Sequence, residues 1–266
     1  MTVLDEILAT KRDEVTMLHR PQVRDLLQAR ALEAPPARDF VGALRPDDGT
    51  IGVIAECKRR SPSKGDLAPE LDPAVTAKAY AAGGASCLSV LTDHLYFGGT
   101  VDDLVSARDA CDLPVLRKDF TIDEVQVYET RAMGADALLL IVAALPEASL
   151  LADLHELALT LGLAVLVEAH DAAELERALA VGARLVGVNA RDLGTFAEDL
   201  GMGERLATRV PPDVVAVAES AIRSVDDAAR MAAAGFDAVL VGEMLVKAAD
   251  PTATVRRLAA VPRTPR

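Results

Sequence analysis

The chain has 266 residues, 51% of them apolar, no tryptophan, and a formal charge of −13. That balance argues against a nucleic-acid protein, which would show a basic face or arm, but leaves room for a local cationic pocket that holds an anion. A chain this long buries most of its apolar surface without a metal or disulfide staple, and single α/β barrels run to this size.

Residues 1–50 precede the first strand. "TVLDEILATKRDEVTML" patterns as a helix and "DFVGAL" as a second, short one, forming an N-terminal helical extension packed on the rest of the chain. The start is charged throughout and has no secretory h-region, and the longest uncharged apolar stretch, 137–145, is too short to span a bilayer. Cys57, Cys87 and Cys111 are odd in number and lie in or beside apolar runs. They read as reduced core residues of a cytoplasmic protein.

From residue 51 one pattern recurs. A helical stretch ends in a glycine turn and a short apolar strand comes next, as in "AAGGASCLSV", "AMGADALLLI", "TLGLAVLVE", "AVGARLVGV" and "AAAGFDAVLV". Glycine just past a helix end supplies the left-handed cap, and continuous apolar strands have both sheet faces covered. Strands are predicted over 51–58, 85–92, 114–118, 136–142, 164–168, 185–189, 214–219 and 237–241. Eight βα units predict a (βα)8 TIM barrel over 51–266, in one domain with the extension. The alternative is an open doubly wound sheet, but no G-x-G-x-x-G follows the first strand.

Barrel chemistry collects where strands end and βα loops begin. Strand 1 ends "IAECKRRSPSKGDL". Glu56 and Lys58 are two apart and share the lumen side if Cys57 faces outward. Lys118 ends strand 3 and Glu168 ends strand 5. A carboxylate in an apolar setting is a candidate acid or base. Asp171 caps the next helix, and His170 reads as a loop residue rather than a catalyst. Asn189 and Arg191 end strand 6, and Glu219 and Ser220 end strand 7. Gly242 opens a short helix directly after strand 8, a common barrel phosphate site. Strand 4 ends without a polar group and offers an apolar wall. Together these residues point to acid/base chemistry on a phosphorylated substrate.

The segments "VLDEILATKRDEV", "IAECKRRSPSKGDL", "LSVLTDHLYFGG", "PVLRKDFTIDEVQVYETRAMGADALLLI", "LVEAHDAAEL", "VGVNARDLGTF", "AESAIRSVDDA" and "GFDAVLVGEMLV" resemble the indole-3-glycerol phosphate synthase family, in order and over nearly the whole chain. The resemblance implies ring closure, decarboxylation and dehydration of 1-(2-carboxyphenylamino)-1-deoxyribulose 5-phosphate, in tryptophan biosynthesis, without cofactor or metal. It implies Lys118 as the acid of ring closure and Glu168 as the proton-transferring carboxylate of dehydration. Lys58 would bind substrate and serve as an acid, with Glu56 positioning it, and Asn189 and Ser220 complete the polar set. Ser61 and Arg191 would meet the anthranilate carboxylate or the sugar. Phe97, Phe120, Leu139 and Leu193 would enclose the ring, and Ser220-Ala221 and Gly242-Glu243 would offer backbone N–H groups to phosphate. The implied partner is this small phosphorylated molecule, with no nucleic acid or membrane. A monomer is expected, and contact with other tryptophan-pathway enzymes is open.

Two departures stand out. The family commonly has glycine where this chain has Ala221, which costs about 1 kcal/mol or more if that residue needs a positive φ. The loop Asp93-His94-Leu95 replaces a usual glutamate and its neighbours. Two rival functions are a phosphoribosylanthranilate isomerase, which needs a catalytic cysteine and aspartate, and a non-catalytic paralogue that binds a phosphorylated ligand.

Overall fold

The computed structural model describes residues 2–191, 197–264 and 266. Eight parallel strands form a closed ring: β1 Gly52–Cys57, β2 Cys87–Leu91, β3 Val115–Lys118, β4 Ala137–Ile141, β5 Ala164–Ala169, β6 Leu185–Asn189, β7 Val215–Glu219 and β8 Ala238–Val241. Neighbours in sequence are neighbours in the ring, and β8 seals onto β1 with Gly52 opposite Ala238. Each predicted strand is present, and most are trimmed by a residue or two at the ends.

Both faces of each strand are buried, so side chains sort by alternation alone. Val53, Ala55, Cys57, Val90, Val167 and Ala218 face the helical layer. Ile54, Leu116, Leu139, Leu166, Val217 and Leu240 fill the lumen. The same alternation turns Glu56 inward and Cys57 outward. The Cys57 thiol is pushed up by burial and then by the nearby Glu56 charge. It cannot serve the isomerase chemistry that needs a cysteine in the lumen.

The helices are α1 Val3–Leu18, α2 Pro21–Glu33, α3 Phe40–Ala43, α4 Pro73–Gly83, α5 His94–Phe97, α6 Val101–Ala110, α7 Glu124–Ala132, α8 Ala148–Thr160, α9 Ala172–Ala180, α10 Leu200–Ala207, α11 Val225–Ala233, α12 Glu243–Val246 and α13 Pro251–Ala259. Asp72, Asp93, Asp123, Asp171, Asp199 and Asp250 each accept a first-turn N–H and cap the helix they precede. Part of the acidic charge therefore sits at positive helix ends. The repeated glycine turns are left-handed caps, as the pattern predicts.

The extension clasps the barrel from both ends. Val3, Leu4 and Ile7 of α1 line the cavity at the carboxyl end of the strands. Phe40 of α3 and Leu44 after it are buried in the lumen cluster at the opposite end, where Cys87 Sγ donates to the Phe40 carbonyl. Between them α2 packs along α7. The sequence pattern misses α2, because its apolar and charged residues do not segregate to faces and only Ala31 is buried. Two short elements above the barrel also read as loop from sequence: α5, and a hairpin pairing Arg60–Ser61 with Gly65–Asp66.

Ion clusters tie the amino-terminal floor. Asp136 accepts from Arg108 at 3.1 Å and from the Arg38 backbone at 2.8 Å. Asp237 takes Arg45 of the extension at 3.0 Å, and Arg263 and Arg266 near the C-terminus at 2.6 and 2.8 Å. Among the described residues no helix is long and apolar enough to cross a membrane.

Candidate active site

A cavity of about 380 Å³ opens at the carboxyl ends of the strands, within the range of small-molecule sites. Of the residues singled out from sequence, Lys118, Glu168, Lys58, Glu56, Asn189, Ser220, Ser61, Phe97, Phe120, Leu139, Arg191, Ala221, Gly242 and Glu243 all line it. Leu193 lies outside the described residues.

Lys118 is the centre of the polar layer. Its Nζ donates to Glu168 Oε2 at 2.7 Å and to Glu219 Oε2 at 2.8 Å. Strand register brings these groups to one level: Ile141 pairs with Glu168, Glu168 with Gly187, and Asn189 with Glu219. A Cβ at Gly187 would overlap Glu219 Oε1, so any larger residue there would push Glu219 from its place beside Lys118.

The two carboxylates divide the lysine unequally. Glu168 also accepts from Asn189 Nδ2 at 2.9 Å and faces His170 Nε2 at 3.3 Å. Burial raises its pKa, but Lys118 first and then His170 outweigh this and hold the carboxyl well below the usual range. Among the described residues Lys118 is the one cation paired with Glu219, whose buried Oε1 has no hydrogen-bond partner there. Burial, reinforced by the charge of Glu168 and opposed by Lys118, pushes it up to about 8. Lys118 itself would lose its proton on burial, but Glu168, Glu219 and Glu56 raise its pKa above the ordinary lysine value. The site thus holds a firm ammonium, a firm carboxylate, and a second carboxyl whose pKa is raised by burial.

Glu56 and Lys58 form a 2.5 Å ion pair beside them, and Ser89 Oγ donates to the other Glu56 oxygen at 3.4 Å. Gly242 makes room for that pair, since a Cβ there would overlap Glu56 Oε1 and stand 3.1 Å from Lys58 Nζ. Next to Gly242 is the turn after β7, where Ser220 and Ala221 take φ of 64° and 59°. Two consecutive side-chain-bearing residues in the left-handed region are strained, and residue 221 is a position where glycine would relieve that strain. Glu243 turns back to Lys247 at 2.7 Å.

The apolar side of the cavity is formed by Leu139, Ile141 and two phenylalanines. The Phe97 and Phe120 rings are tilted 40° with centroids 6.2 Å apart. Arg191 spans the rim, donating to Ser63 Oγ at 2.8 Å and pairing with Glu198 at 2.5 Å. Glu198 is shared with Arg223. Ser61 is buried against Ser63, with 3.5 Å between hydroxyls.

Three groups in or beside the site have no role that sequence reveals. Glu219 is visible at a strand end, but a residue beside Ser220 carries no mark of its shared lysine. His170 reads as a loop residue, yet it contacts Glu168. Lys11 of α1 is 2% exposed, with its Nζ 2.9 Å from Asp93, 2.9 Å from Asp119 and 2.8 Å from Glu14. Asp93 caps α5, which ends in Phe97, and Asp119 accepts the Phe120 N–H at 2.8 Å. Lys11 therefore fixes the bases of both rings. Its one sequence signal is that it interrupts the buried stripe Ile7, Leu8, Val15 on one helix face.

The solved structures of 3-hexulose-6-phosphate synthase from Salmonella typhimurium and thiamine phosphate pyrophosphorylase from Pyrococcus furiosus share the barrel. TM-scores are 0.64 and 0.59 at 16% and 17% identity, over 79% of this chain and 98% and 94% of theirs. Sequence relatives are far closer. Indole-3-glycerol phosphate synthase of Laribacter hongkongensis is 51% identical over 259 residues, 96% of this chain and 98% of its own. That of Nocardioides sp. is 51% identical over 263 residues, 98% and 99% of the two chains, and that of Arthrobacter sp. is 49% identical over 254 residues, 94% and 93%. The family model described as indole-3-glycerol phosphate synthase matches residues 4–258, so the chain belongs to that family.

Proposed function

We propose that this chain makes indole-3-glycerol phosphate with Lys118 as the acid of ring closure and Glu168 as the base of the later proton transfers. The supporting observation is the placement of Lys118 Nζ between Glu168 and Glu219, in a cavity that Leu139, Phe97 and Phe120 also line. In ring closure the aromatic carbon of 1-(2-carboxyphenylamino)-1-deoxyribulose 5-phosphate attacks the C2 ketone. The ketone oxygen gains a proton from the Lys118 ammonium as the C–C bond forms. Loss of CO2 leaves its electron pair to restore the aromatic ring. Expulsion of the C2 hydroxyl as water then needs an acid, Lys58, and a base for the remaining proton, Glu168.

The benzene ring fits between Phe97, Phe120, Leu139 and the α1 residues Leu4 and Ile7. Its carboxylate faces Arg191 and Ser61, which requires Arg191 to exchange Glu198 for substrate. The phosphate lies at the Ser220-Ala221 and Gly242-Glu243 turns with Lys58 as the nearby cation. All these groups come from one chain, so a monomer suffices. Three free thiols suit a reduced, cytoplasmic setting.

Lys118→Ala is the test. It should lower kcat by about 10²-fold or more, the loss expected for a general acid. Turnover can be followed by indole fluorescence, because the chain has no tryptophan. A loss under about threefold removes Lys118 from that role.

A further inference from the structure

We infer that His170 is a positioning residue for this reaction: its imidazolium holds Glu168 in place and ionised when Lys118 turns to the substrate. The inference rests on the assignment of Glu168 as the base. Glu168 is buried, and its oxygens are served from opposite sides. Lys118 holds Oε2, and Asn189 and His170 meet Oε1. Once the ammonium leaves Oε2 for a substrate oxygen, Asn189 alone offers only a neutral donor. A buried carboxylate with no cation takes up a proton and stops being a base.

His170 is built to stay where it is. Its Nδ1 lies 2.9 Å from Glu174 Oε2, and its backbone N–H donates to the same oxygen at 2.8 Å. Glu174 is fixed in turn by the first turn of α9, where its own N–H bonds the capping Asp171. The ring is thus locked through one nitrogen and points the other at Glu168. That 3.3 Å contact falls outside hydrogen-bond geometry, so charge carries it rather than direction. Among the described residues, Glu168 and Glu174 are the charged groups that face the ring. Lys118 from β3 and Glu219 from β7 reach it through Glu168. Burial opposes the imidazolium, but Glu168 and then Glu174 outweigh it and raise the pKa to about 10.

The experiment compares kcat–pH profiles of wild type, Glu168→Gln, His170→Gln, His170→Ala and Glu174→Gln. Glu168→Gln tests the underlying assignment, and kcat within about threefold of wild type would remove it. With that assignment standing, both His170 variants should lose about tenfold or more in kcat with KM within about threefold, and the acid limb of kcat should rise by about one pH unit. Glu174→Gln leaves the ring but weakens its charge, and should move the same limb in the same direction by less. An acid limb at the wild-type position in His170→Gln, or a loss confined to KM, overturns the inference. If the His170 variants do not fold, Glu174→Gln decides alone, with a shifted limb in support and an unmoved limb against.

Discussion

Lys118 is bracketed by two glutamates that share its charge unequally, and the inequality has a measurable signature. Glu168 is anchored by three neighbours and ionised, whereas Glu219 is pushed up to about 8 from an ordinary value of 4.5. Between those two pH values the folded chain holds a proton on Glu219 that the unfolded chain has lost. The proton deficit of the unfolded state means stability falls as pH climbs through that window. Glu219→Gln should flatten this part of the stability–pH curve in urea titrations at about pH 5, 6, 7 and 8. An unchanged slope would show that Glu219 is not the group responsible. Ala221 carries a second residue-scale prediction. Its φ of 59° costs a side chain but not a glycine. Ala221→Gly should stabilise the fold by about 0.5–1 kcal/mol after the entropy glycine gains in the unfolded chain, and should lower KM if the turn holds phosphate. Glu56, Lys58, Lys118, Glu168 and Asn189 are legible in the sequence because a charge or amide that ends an apolar strand has one place to go in a barrel. The partnerships of Glu219 and His170 are not, since they depend on which strands become neighbours in the closed ring.

At the scale of elements, the strand–helix alternation is plain from glycine turns and apolar runs, and the aspartate caps mark the helix starts. The extension is only half legible. Helix α1 shows a stripe, but α2 has none, and no local pattern tells which end of a barrel a helix will cover. The latch that answers this is Lys11, a buried ammonium in α1 held by aspartates at residues 93 and 119, sequence-distant from it. Asp93 is therefore part of the support beneath Phe97, through its pair with Lys11 and its cap on α5. Replacing Lys11 by Met removes the cation but keeps the volume. It leaves Asp93 buried without a cation, while Asp119 keeps Arg117 at 3.2 Å. Lys11→Met should cost about 3–5 kcal/mol in guanidinium unfolding, and should raise KM as the base of the two phenylalanines loosens. A cost below about 1 kcal/mol would mean the latch is not closed in solution.

Across the whole molecule the two ends of the barrel have separate tasks. Functional groups gather at the carboxyl end, and the amino end holds ion clusters that join the extension, the strands and the C-terminus. Asp237 is the knot, gripped by Arg45, Arg263 and Arg266. Asp237→Ala should destabilise the fold by about 3–5 kcal/mol, because three arginines lose a shared buried carboxylate. Below the melting range kcat and KM should stay close to wild type in a steady-state assay. A fall in kcat without a fall in stability would break this division.

Ring closure between β1 and β8 also has a consequence for how the protein is made. The edge of β1 that receives β8 consists of Gly52, Val53, Ile54 and Ala55, all buried once paired. A nascent chain emerges from the ribosome in order, so this apolar edge waits while most of the barrel is still being synthesised. Glu219, which completes the bracket around Lys118, is also among the last parts to emerge. Until then the growing chain offers an open strand to any other unfinished copy. The order of synthesis thus leaves β1 as the last strand of the ring to gain its second neighbour.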